Sequence, residues 1–120
     1  MDDEVYIREI LAAMLTSMGY TVKLAKNSEE ALVIVKESLV PMLSIDAVIL
    51  DLTIPGGIGG KDTLIKMLEL DPNIKAIASS GYSNDPVMAI PKDFGFKAKL
   101  QKPFSKKDVE QVLVNVLSPS

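Results

Sequence analysis

Residues Ala47-Val48-Ile49-Leu50-Asp51-Leu52-Thr53-Ile54-Pro55-Gly56-Gly57 decide the fold of this chain. Four apolar residues run without a break into one acid, and a Pro-Gly-Gly turn follows four residues later. A short continuous apolar run bounded by turn residues reads as a strand buried on both faces, the kind that parallel sheets contain. Asp51 then emerges at the carboxyl end of that strand, where open α/β sheets bind their ligands. An aspartate can equally well start a turn and do nothing more. The rest of the chain has to decide between the two.

Downstream, Gly59 and Gly60 precede a helix predicted over Lys61–Leu70, with Leu64, Met67 and Leu68 turned inward. Asp71-Pro72-Asn73 is a turn, and Ile74–Ser79 is a second apolar strand that ends in Ser79-Ser80-Gly81. Asp85-Pro86 opens a short helix that Pro91 disturbs. Phe96–Leu100 reads as a third strand, followed by Lys102-Pro103-Phe104. A last helix over Ser105–Leu117 carries Val109, Val112, Leu113 and Val116 on one face.

Upstream, Ile7, Leu11, Met14, Leu15 and Met18 recur at helical spacing, which predicts a helix over Glu4–Met18 ended by Gly19. Tyr20–Ala25, with Tyr, Thr and Val in a short run, reads as a strand. Asn27, with Glu30 three residues on, caps a helix that buries Ala31, Leu32, Val35 and Leu39 and stops at Pro41. Strands and helices alternate throughout. That is an α/β chain with a doubly wound parallel sheet, helices on both faces and a single domain over residues 1–120.

Composition removes several chemistries. The 120 residues include no cysteine and no histidine, which excludes disulfides, thiolate metal sites, a Ser-His-Asp triad and a phosphohistidine on this chain. The net charge is −3 with the basic residues scattered, the wrong footprint for nucleic acid. No apolar run approaches the ~20 residues of a membrane span, so a soluble, cytoplasmic domain with no membrane partner of its own is expected.

Four polar positions fall at strand ends or directly before a helix: Asp2-Asp3, Asp51, Ser80 and Lys102. Right-handed crossovers return the chain to one edge of the sheet, so residues far apart in sequence meet there. Three carboxylates in one place repel one another and call for a cation. Oxygen ligands without His or Cys point to Mg²⁺. A hydroxyl and an ammonium beside that ion suit the oxygens of a phosphoryl group.

With Asp2-Asp3, Asp51 followed by Pro55-Gly56, Ser80-Gly81 and Lys102-Pro103-Phe104 in this order, the chain resembles the receiver domain of two-component response regulators. It is most like the receivers of hybrid sensor histidine kinases. The resemblance implies a flavodoxin-like doubly wound fold in which Asp51 takes a phosphoryl group from a partner's phosphohistidine. That partner is a histidine kinase or a histidine phosphotransfer protein. Asp3, Asp51 and the main-chain carbonyl of Thr53 would bind Mg²⁺ directly, with Asp2 acting through water. Ser80 and Lys102 would hold the phosphoryl oxygens, and a cis bond before Pro103 would aim Lys102 inward.

The chain also departs from the family. Lys99 stands where an aromatic switch residue is usual, three positions before Lys102. Tyr82 and Thr53 occupy positions that, by the resemblance, tune acyl-phosphate lifetime in the family. With only three residues after Leu117, a lone receiver or one carried by a kinase is the expectation. The family's first, central strand should precede Asp2, yet only Met1 stands there. The expectation is that Tyr20–Ala25 slides over to pair with Val48–Leu50, or that a second copy lends an element and forms a homodimer at the open edge. Competing readings are a receiver-like interaction module that works without phosphorylation, an aspartyl-nucleophile phosphatase and an FMN carrier. The phosphatase would need an acid at position 53, and the FMN carrier a Ser/Thr/Gly-rich loop where Asp2-Asp3-Glu4 stands.

Overall fold

The apolar run forms strand β1, Val48–Asp51. In the computed structural model, which describes residues 1–118, β1 pairs in parallel with β2 (Ala76–Ser80). β2 pairs in parallel with β3 (Ala98–Gln101), so the sheet has three strands in the order β1-β2-β3. The register sets Asp51 opposite Ser79 and Ser80 opposite Gln101. All five residues of β2 are buried, as a central strand covered on both faces requires.

Five helices cover the sheet: α1 (Val5–Ser17), α2 (Ser28–Glu37), α3 (Gly60–Leu70), α4 (Pro86–Ala89) and α5 (Lys106–Leu117). On one face Val35, Leu64 and Met67 from α2 and α3 pack with Leu50, Ala76 and Ala78 of the sheet. On the other, Leu11 of α1 and Val109 and Leu113 of α5 pack with Ile77 and Leu100. Successive strand residues therefore serve opposite faces, and the doubly wound arrangement read from the sequence is the one observed.

Local signals act where the sequence places them. Asn27 Oδ1 accepts the Glu30 N–H at 2.9 Å and starts α2. Ser105 and Asp108 form a reciprocal capping box at the start of α5. Gly19, at φ +94°, takes the left-handed conformation that ends α1. α4 is only four residues long, cut short before Pro91. No helix among the described residues is long and apolar enough to cross a membrane.

Tyr20–Ala25 departs from expectation. It is extended in sequence character but forms no strand, and it does not slide over to β1. A cavity of about 610 Å³ separates the two, lined by Leu11, Leu15, Val22, Val35, Ile49 and Leu113 among others. A strand exists only through its neighbour's hydrogen bonds, and Tyr20–Ala25 has no neighbour within reach along most of its length.

One end of this gap is bridged. The Met1 ammonium donates to the Ile49 carbonyl at 2.6 Å, and the Asp51 N–H donates to the Met1 carbonyl at 2.9 Å. The Asp2 N–H donates to the Ala25 carbonyl at 3.1 Å. Met1 and Asp2 thus make one step of a parallel strand, bonded to both sides. Below them, strand alternation turns the Ile49 N–H into the cavity, because Val48 and Leu52 spend theirs on Lys75 and Ser79 of the β2 side. Burial of the Met1 nitrogen lowers its pKa to about 6, against the pull of Asp2 and Asp51.

Joining four or five apolar residues to Met1 should therefore raise stability. They would fill the cavity, pair with β1 and replace a buried ammonium by a neutral peptide group. Thermal unfolding should shift upward by ~5 °C or more. A second signature concerns pH. Because the folded ammonium binds its proton less tightly than the unfolded one, the parent chain should gain stability as pH rises from 6 to 8. The extended chain should lose that rise. An extension that leaves both the melting temperature and the pH profile unchanged would show that the cavity does not accept a strand.

Candidate functional site

The strand ends and the start of α1 converge on one acidic pocket. β1 carries Asp51 to its carboxyl end, where the residue is only 4 % exposed. Its Oδ1 accepts the Thr53 N–H at 3.2 Å, a bond that shapes the turn after the strand. Asp2, equally buried, is held from both sides. Its Oδ1 accepts the Glu4 N–H at 2.9 Å, and its carbonyl accepts Arg8 Nη1 at 2.8 Å. Asp3 is exposed beside them. One carboxylate oxygen from each of Asp2, Asp3 and Asp51 lies within 4.8 Å of the others.

Lys102, delivered by the end of β3, enters from the far side. Its ammonium is 2.7 Å from Asp2 Oδ2 and 3.4 Å from Asp51 Oδ2. The bond between Lys102 and Pro103 is cis. Burial alone would lower the Lys102 pKa. The hydrogen bond to Asp2 and the charge of Asp51 outweigh it and hold the ammonium above its ordinary value. For Asp51 it is the neutral form that gains. Burial, then repulsion from Asp2, push it up to about 6 despite Lys102 and the Thr53 N–H.

Ser80 is fully buried at the end of β2. Its hydroxyl accepts the Tyr82 N–H at 2.9 Å, and its carbonyl accepts the Lys102 N–H at 2.9 Å. The Ser80 turn and the lysine strand are thereby joined through the backbone. Thr53 offers its main chain to the turn beside Asp51.

Three features of the pocket were not legible beforehand. Arg8, which belongs to none of the sequence motifs, donates from Nη1 to the Asp2 carbonyl. Lys102 is shared between Asp2 and Asp51, which depends on side-chain reach rather than on spacing. Gly59 and Gly60, the cap and first residue of α3, have a steric role. A Cβ on Gly60 would stand 2.8 Å from the Asp51 carbonyl oxygen, and one on Gly59 would overlap the Leu52 carbonyl oxygen. The glycine pair lets α3 start directly against the end of β1, and its signal in the sequence is the doublet itself.

Comparison with known proteins agrees with this geometry. The family model described as the response regulator receiver domain matches residues 1–114. The probable transcriptional regulator ycf27 of Porphyra purpurea is 36 % identical over 119 residues, covering 98 % of this chain. This chain spans only 45 % of that relative's length. The chemotaxis protein CheY of Thermotoga maritima is 31 % identical over 117 residues, covering 97 % of this chain and 92 % of the relative. Among solved structures, the CheX-CheY-BeF3-Mg complex of Borrelia burgdorferi contains a chain 28 % identical to this one. It superposes with a TM-score of 0.87, covering 98 % of this chain and 86 % of that one. By fold, by site geometry and by a match that runs through nearly every element, the chain belongs to the response regulator receiver domain family.

Proposed function

We propose that this receiver accepts a phosphoryl group on Asp51 from the phosphohistidine of a histidine kinase or a histidine phosphotransfer protein. The observation that supports this most directly is the placement of Asp51. A carboxylate sits at the end of a buried strand with an ammonium on its Oδ2 and two further acids beside it. An Asp51 oxygen attacks phosphorus, the P–N bond to the donor imidazole breaks, and an acyl phosphate forms. Ser80 and Lys102 hold the phosphoryl oxygens, the lysine as a point charge.

The donor set of the acidic pocket fits Mg²⁺. All candidate ligands are oxygens, and the three carboxylates carry more negative charge than Lys102 neutralises. Asp3, Asp51 and the Thr53 carbonyl would hold the ion, with Asp2 acting through water. When bound, Mg²⁺ supplies charge neutralisation at the phosphoryl oxygens. For Lys102 the consequence is a change of partner. It leaves the carboxylates it now bridges for the incoming phosphoryl oxygens. The domain would act as one receiver unit, alone or within a kinase, with a homodimer through the open edge beside β1 as a further assembly.

Asp51→Asn should gain no acid-labile phosphate from acetyl phosphate and Mg²⁺, whereas the parent chain gains one, as read by intact mass. A variant that is phosphorylated at the parent rate would remove Asp51 from the role. Asp3→Ala should weaken Mg²⁺ binding at least ~10-fold in a metal titration, and Glu4→Ala should change it little. Equal losses would return Asp3 to the role of helix-start charge. Protons compete with the metal for Asp51, so Mg²⁺ affinity should also fall as pH drops below about 6. Lys102→Ala should leave Mg²⁺ binding intact or strengthened while slowing phosphorylation. Unchanged phosphorylation in that variant would make Lys102 a structural counter-ion only.

A further inference from the structure

Ser79 carries the one buried side-chain polar atom without a hydrogen-bond partner among the described residues. It is 2 % exposed, and it lies in register with Asp51 on one side and with Leu100 on the other. Residues in register on parallel strands present their side chains to the same face. Ile77 and Leu100 pack on the face covered by α1 and α5, so Ser79, two residues after Ile77, shares that face. Asp51 follows Ile49, and Lys102 follows Leu100, by the same step of two. The acid and the Ser79 hydroxyl are therefore on one side of the sheet, and Lys102 reaches the acid from just past the end of β3. Ser80 alternates to the other, where its hydroxyl already accepts the Tyr82 N–H.

A packing role does not account for a serine at this position. Ala76, Ile77 and Ala78 fill β2 with apolar side chains, and an alanine at 79 would do so without burying an idle hydroxyl. The Ser79 hydroxyl bonds nothing as placed, and because parallel strands lie ~4.8 Å apart, a change of its side-chain rotamer carries it toward the Asp51 carboxylate in register with it. That carboxylate has acceptor capacity left. Oδ1 takes only the Thr53 N–H, and Oδ2 faces an ammonium that is closer to Asp2 than to Asp51.

We propose that Ser79 is a positioning residue for the Asp51 nucleophile, its hydroxyl steadying the carboxylate once Lys102 turns to the phosphoryl oxygens. This role rests on the phosphoacceptor reading above. Ser79 forms no bond to phosphorus. It limits the swing of the carboxylate about its side-chain torsions, so that an oxygen stays aligned with the incoming phosphorus.

The test is Ser79→Ala in the full chain, with Ser79→Thr as the hydroxyl-bearing control. Phosphorylation by acetyl phosphate is followed by intact mass across donor and Mg²⁺ concentrations, together with thermal unfolding. The expected result is a maximal rate lowered ~10-fold in Ser79→Ala. Half-saturating donor and Mg²⁺ concentrations should be unchanged and the melting temperature equal or higher, since an unpaired buried hydroxyl has been removed. Ser79→Thr should recover the rate. A Ser79→Ala chain that reacts at the parent rate overturns the proposal while the parent's own reactivity upholds the phosphoacceptor reading. A rate that falls in step with stability overturns it too, because packing then explains the loss. A parent chain that gains no phosphoryl group overturns the phosphoacceptor reading and this role with it.

Discussion

A carboxylate buried at the end of an apolar strand must find a cation, and much of this molecule is arranged around that requirement. Asp51 comes from β1, Asp2 from the residues leading into α1, and Lys102 from the end of β3. One ammonium between two buried acids closes these three elements onto each other. Removing the lysine would leave two anions facing each other in a poorly hydrated place, the costly way to break a buried pair. The same arithmetic explains why the pocket invites a divalent ion. With Asp3 counted, the acids still outnumber the lysine.

The parts of this design that were legible in the sequence are those written in local patterns. The apolar run of β1 with its acid and turn, the alternation of strands with helices, and the Asn27 cap all depend on residues close together in the chain, whereas Ser105 caps α5 where the spacing predicts its first helical residue. The acidic pocket was legible because the topology of parallel sheets gathers strand ends. Tyr20–Ala25 shows where such reading fails. Its residues favour a strand, but propensity cannot supply the neighbour that a strand needs. Ser79 and Ser80 show another limit. They are adjacent and chemically identical, and only the register, which reverses faces with each residue, separates the two.

The pocket joins pieces of unequal stiffness. β2 is buried along its whole length and gives Ser79 and Ser80 fixed positions. After Asp51 the chain leaves the sheet through an exposed turn, with Gly56 at φ +73°, before Gly59 and Gly60 bring it back against the strand end. α4, one turn long between two prolines, is the slightest of the covering helices. Asp51 is thus the last residue of a strand whose partner is buried throughout, while most of the turn that follows it is exposed.

The position of Met1 has a practical corollary. In most domains a terminus points into solvent, and whatever is fused to it is inert. Here the first nitrogen is a rung of the sheet, bonded to Ile49 at the mouth of an apolar cavity. An affinity tag joined at Met1 would have its last few residues directed along β1 and between two hydrophobic walls. An apolar tag would find matching walls in Leu15, Val22 and Leu113, whereas a charged one would meet Lys23 and Asp46 only at the open side. Residues joined to Met1 would thus lead along β1 into the fold, and a tag placed there would bear on the folding equilibrium itself.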